Sequence, residues 1–241
     1  MHYKLFNLLA FALVLVMNYL ANALPLNGKT TGELSAQYPN LFVPAGVTFS
    51  IWGVIYLLLL VFVVLQFREA NKTLIAAIGW AFLLSCILNA GWIVAWHYQY
   101  LTLSVIIMLG LLASLLFINL QLKAEPAGII KITFGVYLGW ICIATIANIT
   151  ALLVGYSWGG WGISAQTWTM ILIGVGTFIT AFAMIKLNNP FLALAVIWAF
   201  VGIILRQQGS YPAIVVAAWV GIFIVGLAAI FGSKIYLLRA G

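Results

Sequence analysis

Aspartate is missing from the 241-residue chain, and glutamate occurs only three times, at Glu33, Glu69 and Glu125. Charged residues of both signs make up 5% of the sequence, against about 25% in soluble domains. So few cannot keep a chain that is 66% hydrophobic in water, which excludes a soluble globule. Two cysteines exclude a disulfide-stapled secreted scaffold. The net charge of +7 suggests a polyanion at first, but the ten basic residues stand singly between apolar runs. Without a basic cluster there is no nucleic-acid surface. What remains is an all-α, polytopic transmembrane helical bundle whose first partner is the lipid bilayer.

Further absences narrow the chemistry. Ionisable side chains inside spans mark proton relays and ion sites, yet all three glutamates fall between the apolar runs. A pump with a buried acidic relay is therefore excluded. His2 and His97 lie far apart and at opposite ends of their spans, so they form no shared metal site. Cys86 and Cys142 sit mid-span, where thiols act as small apolar fillers. No Gly-rich phosphate loop and no converging Ser, His and carboxylate occur, so covalent catalysis has no visible machinery.

Long hydrophobic runs are what the chain has. About 20 apolar residues cross a hydrocarbon core of about 30 Å, and eight segments qualify: 5–24, 47–67, 74–96, 101–122, 129–154, 168–187, 190–205 and 213–238. Pro44, Arg68-Glu69, Glu125-Pro126 and Asn188-Asn189-Pro190 mark breaks between them. The seventh is shortest, and tilt, bilayer thinning or a snorkelling Arg206 are the ways to accommodate it. Eight spans put Lys4, Arg68, Lys72, Lys123, Lys131, Lys186, Lys234 and Arg239 on one side, leaving only Lys29 and Arg206 opposite. By the positive-inside rule both termini are expected in the cytoplasm, in a bacterial-type cytoplasmic membrane. The first segment also reads as a cleavable signal ending at Ala21-Asn22-Ala23, although Asn18 interrupts it and its length favours a retained helix.

Aromatic surface is abundant: ten Trp, ten Tyr and fifteen Phe. Many of these rings lie near span ends, as an interfacial belt requires. Others lie deeper and share helix faces. Trp52 and Tyr56 are four apart, Asn89 and Trp92 three apart with Trp96 a turn beyond, and Tyr137 and Trp140 share a stripe with Ala144 and Asn148. An amide inside a span needs partners, so Asn89 and Asn148 face the bundle and bring Trp92 and Trp140 with them. Two readings fit: polar residues that bind helices together, or a pocket with Trp faces for a flat ligand and amides for its edge.

Those three helices resemble the tryptophan-rich sensory protein, or translocator protein, family (TspO/MBR, the peripheral benzodiazepine receptor family). The resemblance rests on Trp52-x-x-x-Tyr56 behind Pro44, Asn89-x-x-Trp92, and Tyr137-x-x-Trp140 followed by Ala144-Thr145 and Asn148. It covers residues 1–155, a five-helix membrane body, with 156–241 as three additional helices of the same membrane domain. Phe49 stands where the family has a proline before its Trp, and the first loop, 26–40, has no Trp to cap a pocket. The resemblance implies a haem, porphyrin or other flat apolar ligand, bound without a covalent link. Trp52, Tyr56, Asn89, Trp92, Trp140, Ala144 and Asn148 are the implied ligand-binding residues. A sensory or regulatory role, transport and light-dependent porphyrin breakdown are the activities ascribed to the family.

Three questions stay open on the sequence alone. Arg206 is either an anchor for a ligand carboxylate or a helix-ending side chain that snorkels to headgroups. The Gly- and Trp-rich loop 155–166 either rests in the interface or folds over the pocket as a lid. Function lies between a ligand-binding sensor, a small-molecule permease without tetrapyrrole specificity, and, with least support, a membrane enzyme. Gly110 and Ala113 would permit a homodimer without specifying one.

Overall fold

The computed structural model describes residues 3–24 and 26–239, with side chains as far as Phe231. Ten α-helices organise them: α1 Tyr3–Asn22, α2 Thr31–Ala36, α3 Ile51–Leu65, α4 Lys72–Ile78, α5 Ala81–His97, α6 Leu101–Gln121, α7 Ile129–Gly155, α8 Ala165–Leu187, α9 Leu192–Gln207 and α10 Pro212–Arg239. No strand occurs among the described residues. A helix satisfies its backbone polar groups internally, which is what an apolar solvent demands of a single segment. Six of the helices are long and apolar enough to cross a membrane, α4 and α5 pass together as one bent span, and α9 is a shorter apolar rod. These are the eight segments expected, and α2 is an extra short helix in the first loop. The outer surface is apolar, with Leu5, Phe178, Ile185 and Phe223 each more than half exposed. The protein is an integral membrane protein.

The third segment departs from a straight span. Its two halves meet at 61° across Gly79-Trp80. Gly79 has φ 56° and ψ −128°, which glycine adopts without steric cost. Local sequence sets the other ends. Thr30 and Glu33 form a capping box on α2, the Ser164 hydroxyl accepts from Thr167 N–H to start α8, and Asn188 ends α8 in the left-handed conformation. Pro212 opens α10, where its missing N–H costs nothing.

The short α9 is largely enclosed by protein. It lies against α7, α8 and α10, burying Ala195, Val196, Ala199, Phe200 and Ile203. Small residues permit that approach. A Cβ on Gly139 of α7 would collide with the Leu192 carbonyl, and one on Gly202 of α9 would meet Thr48 and Pro44. The segment before α3 is bound to α9 in turn: Ala45 N–H donates to Gly202 O (3.0 Å), Trp198 Nε1 to Thr48 O (2.9 Å), and Gln207 Nε2 to Leu41 O (2.9 Å). One hydrophobic cluster runs from Ala10 through Trp140 to Val225.

Polar side chains close the end of the bundle where α1 begins. Gln66 Nε2 donates to Lys4 O (3.1 Å) and Asn7 Nδ2 to Gln66 Oε1 (3.1 Å). Lys131, read from the sequence as one of the charges on this side, turns inward instead of facing solvent. Its Nζ donates to the carbonyls of Lys123 (3.2 Å) and Glu125 (2.6 Å), closing the α6–α7 turn. The side chains of Lys234 and Arg239, and His2 altogether, lie outside the described residues.

Candidate ligand pocket

Toward the far end of the bundle, α3, α5 and α7 bring their tryptophans together. Trp52 of α3 is the hub. Its ring stacks on Tyr56 at 5.5 Å, tilts against Trp92 at 6.4 Å, and meets Tyr137 and Trp140 edge-on at 6.1 Å each. Trp92 stacks on Trp96 at 5.9 Å, and Phe49 stands edge-on to Trp140 at 6.2 Å. Offset and edge-to-face arrangements at these separations are favourable contacts for aromatic quadrupoles. Interhelical hydrogen bonds set the ring directions. Trp92 Nε1 donates to Asn148 Oδ1 (2.8 Å), and Asn148 Nδ2 donates to Ser104 Oγ (2.9 Å). Asn89 Nδ2 donates to the Tyr137 hydroxyl (3.0 Å) and Asn89 Oδ1 accepts from Asn18 Nδ2 (3.3 Å).

Two hollows flank Trp52. An inner cavity of about 60 Å³ lies among Phe49, Trp52, Trp92, Trp96, Trp140 and Ala144. A cleft of about 400 Å³ lies on the other side, between α1 and α3, and reaches Asn18, Tyr19, Gly53 and Tyr56. Thr31, Phe49, Trp52 and Trp92 border both, so these side chains are the wall between them. Neither lining contains an ionisable acid, a base, His, Cys or Met. Trp140 Nε1 is buried with no hydrogen-bond partner. A buried polar atom left alone costs about 1–3 kcal/mol, and this one borders the inner cavity. A larger hollow of about 510 Å³ lies between Gln99–Leu103 and Gly155-Tyr156, but no unpartnered buried polar atom belongs to its lining.

The residues singled out by sequence divide accordingly. Trp52 and Trp92 border both hollows, Trp140, Ala144 and Asn148 the inner cavity, and Tyr56 the cleft. Asn89 borders neither. It is fully buried behind the rings, and both ends of its amide are used between helices, one of them holding the Tyr137 hydroxyl. Arg206 borders neither as well. Gln207 is the residue that faces inward there, to Leu41 O, and the helical step of about 100° leaves Arg206 exposed. Of the two readings of Arg206, its exposed position away from both hollows accords with a side chain that snorkels to headgroups. Asn18, Thr31, Ser35, Phe49 and Trp96 were not among the expected ligand residues. Asn18 did carry a signal, since an amide inside a span needs a partner as much as Asn89 does.

The first loop, without tryptophan, still covers the pocket. Thr31 and Ser35 of α2 border the inner cavity, and Trp96 Nε1 donates to Thr31 O (3.4 Å). Asn27 Nδ2 donates to His97 O (3.0 Å) and Tyr38 packs on Trp96 at 6.0 Å, holding the loop down on α5. Thr30 donates from its backbone N–H (2.7 Å) and its hydroxyl (2.9 Å) to Glu33 Oε2, which holds that carboxyl below its ordinary pKa. The loop 155–166 packs on itself instead. Trp158, Trp161 and Trp168 cluster at 5.2–6.0 Å, Trp168 Nε1 donates to Gly160 O (2.9 Å), and Trp161 is 80% exposed. None of these three borders either hollow.

Residues 4–231 match the model of a family described as TSPO-like protein. The chain belongs to the TSPO-like family. Comparison with curated proteins and with solved structures gave no match. The stretch of this TSPO-like protein that matches runs past α7 and takes in α8, α9 and most of α10.

Proposed function

We propose that this TSPO-like protein binds a flat, apolar molecule in the aromatic pocket between α3, α5 and α7, in a sensory or regulatory capacity. The unpartnered indole N–H of Trp140, buried at the wall of a cavity between tryptophan faces, carries the reading. A ligand acceptor there would recover the desolvation cost that the free protein bears. Small-molecule pockets usually measure about 300–1,000 Å³, so a tetrapyrrole needs both hollows, whereas the inner cavity alone takes only a small ring. The uncharged lining means that tetrapyrrole carboxylates would have to extend past α2 to water. Stacking and hydrogen bonding are what the pocket offers such a ring, since no His, Cys or Met borders it.

Sidedness belongs to the same proposal. Lys4, Arg68, Lys72, Lys123 and Lys186 gather at the end where α1 begins, so the positive-inside rule puts that end in the cytoplasm and the pocket in the outer half of the membrane. A permease reading would draw on the broken α4–α5 span. Transporters use broken helices at their binding site, while this break lies at the end away from the aromatic pocket.

Titration of tryptophan fluorescence with protoporphyrin tests the binding reading. Quenching should saturate in the native protein. Ala144→Phe, which fills the inner cavity, should weaken it at least tenfold, and Arg206→Ala should leave it within twofold. Unsaturable quenching that is equal in all three proteins would overturn the proposal.

A further inference from the structure

The cleft between α1 and α3 is open on its lipid side. Leu15 and Tyr19 on its α1 wall are 41% and 60% exposed, and Gly53 on its α3 wall is exposed too. A groove that faces hydrocarbon is normally apolar throughout, because an unpaired polar group in lipid is costly. This one is not. Asn18 and Asn22 border it, and neither Oδ1 accepts a hydrogen bond. The Tyr56 hydroxyl on its inner side is buried against Asn89. At its back, Trp52 and Trp92 separate it from the cavity that Trp140 borders. From the aqueous end, by contrast, α2 closes that cavity with Thr31 and Ser35.

We infer that the pocket is loaded sideways from the bilayer, through the α1–α3 cleft, by an uncharged lipid-dissolved molecule, with Trp52 as the door to the inner cavity that the Trp140 indole borders. This rests on the aromatic pocket being a ligand site and adds the route and the class of molecule that can take it. A charged molecule would meet no counter-charge anywhere along this path, since no ionisable acid or base borders it. A flat neutral molecule with a carbonyl fits this path: it dissolves in the acyl region, slides between ring faces and offers an acceptor to the Trp140 indole N–H. Opening the door means rotating Trp52 away from the rings of Tyr56, Trp92, Tyr137 and Trp140.

Gly53 supplies the test. A Cβ there meets nothing within 4 Å, so Gly53→Leu narrows the mouth of the cleft without disturbing the bundle and is a better helix former. Val54→Leu, on the adjoining exposed position, is the control. The probe is 2-methyl-1,4-naphthoquinone, a flat neutral dicarbonyl that quenches tryptophan, added to the full-length protein in phosphatidylcholine nanodiscs and followed by stopped flow. Gly53→Leu should slow association and dissociation alike by at least tenfold with Kd within twofold, and Val54→Leu should change neither. Unchanged rates in Gly53→Leu overturn the lateral route. A weaker Kd with faster dissociation also overturns it, by making the cleft a seat rather than a passage. Trp140→Phe should speed dissociation of the quinone several-fold and leave 2-methylnaphthalene, which has no carbonyl, unaffected; equal effects on both overturn a neutral carbonyl compound as the molecule that takes this route. If the native protein shows no saturable quenching by either the quinone or protoporphyrin, the pocket reading itself falls, and the route with it.

Discussion

Replacing Trp92 and Trp140 by phenylalanine, one at a time, should give unequal losses of stability. The two side chains are alike in burial, 7% and 3% exposed, so each substitution removes a similar amount of packed ring. They differ at nitrogen. Trp92→Phe breaks a 2.8 Å bond and leaves Asn148 Oδ1 buried without its donor. That costs about 1–3 kcal/mol in general, and interhelical polar bonds in membrane proteins average about 0.6 and reach about 1.7 kcal/mol. Asn148 keeps its bond to Ser104, which holds the cost near about 1 kcal/mol. Trp140→Phe instead deletes an N–H that has no partner, which offsets part of its packing loss by about 1 kcal/mol. Trp92→Phe should therefore be less stable than Trp140→Phe by about 2 kcal/mol. Reversible unfolding by dodecyl sulfate in mixed micelles, followed by far-ultraviolet circular dichroism, measures the difference. Equal losses, or a larger one at Trp140, would refute the assignment of one indole as structural and the other as free.

Two more outcomes follow from the packing and the cap. Gly139→Ala sets a methyl group against the Leu192 carbonyl, which cannot rotate away, so α7 and α9 must separate at a cost of about 1–3 kcal/mol in the same unfolding assay. Gly174→Ala, with open space at its Cβ, is the control and should be neutral or slightly stabilising. Glu33 is held below its ordinary pKa by Thr30, so its carboxylate supports α2 above the usual carboxylate range, and that support is lost as pH falls through the lowered value. Acid should then shift the emission of Trp96, which packs under α2, and Glu33→Gln should abolish the pH-dependent part.

What was legible in the sequence was the membrane solvent. Eight apolar runs became eight rods because the hydrocarbon thickness and the helical rise fix the required length, and side-chain detail hardly enters. The break at Gly79 escaped because a lone glycine in an apolar run does not announce a change of direction, and its φ follows from how α4 and α5 pack. The burial of α9 escaped for a related reason. All-round apolarity suits lipid and protein surroundings equally, so only the Ala195, Ala199 and Gly202 series hinted at close neighbours. At the pocket, spacing on single helices found Trp52, Trp92 and Trp140. It did not find which amide reaches the pocket: Asn89 and Asn148 look alike in sequence and both are bonded at both ends, yet only Asn148 borders a hollow. The two readings of Arg206 could not be separated there because its place near a helix end says nothing of its angle about the helix axis, and Gln207 holds the inward position.

The central claim is that the free indole of Trp140 meets a ligand. With nitrogen-15 in the indole rings, the ten tryptophans give resolvable Nε1–H signals, and Trp140→Phe identifies the one that matters. On addition of protoporphyrin to the protein in nanodiscs, the Trp140 signal should move furthest, with Trp52, Trp92 and Trp96 moving less and Trp158, Trp161 and Trp168 staying in place. Movement confined to those three loop tryptophans, with Trp140 unchanged, would mean that the ligand sits on the membrane surface and that the aromatic cluster serves packing alone.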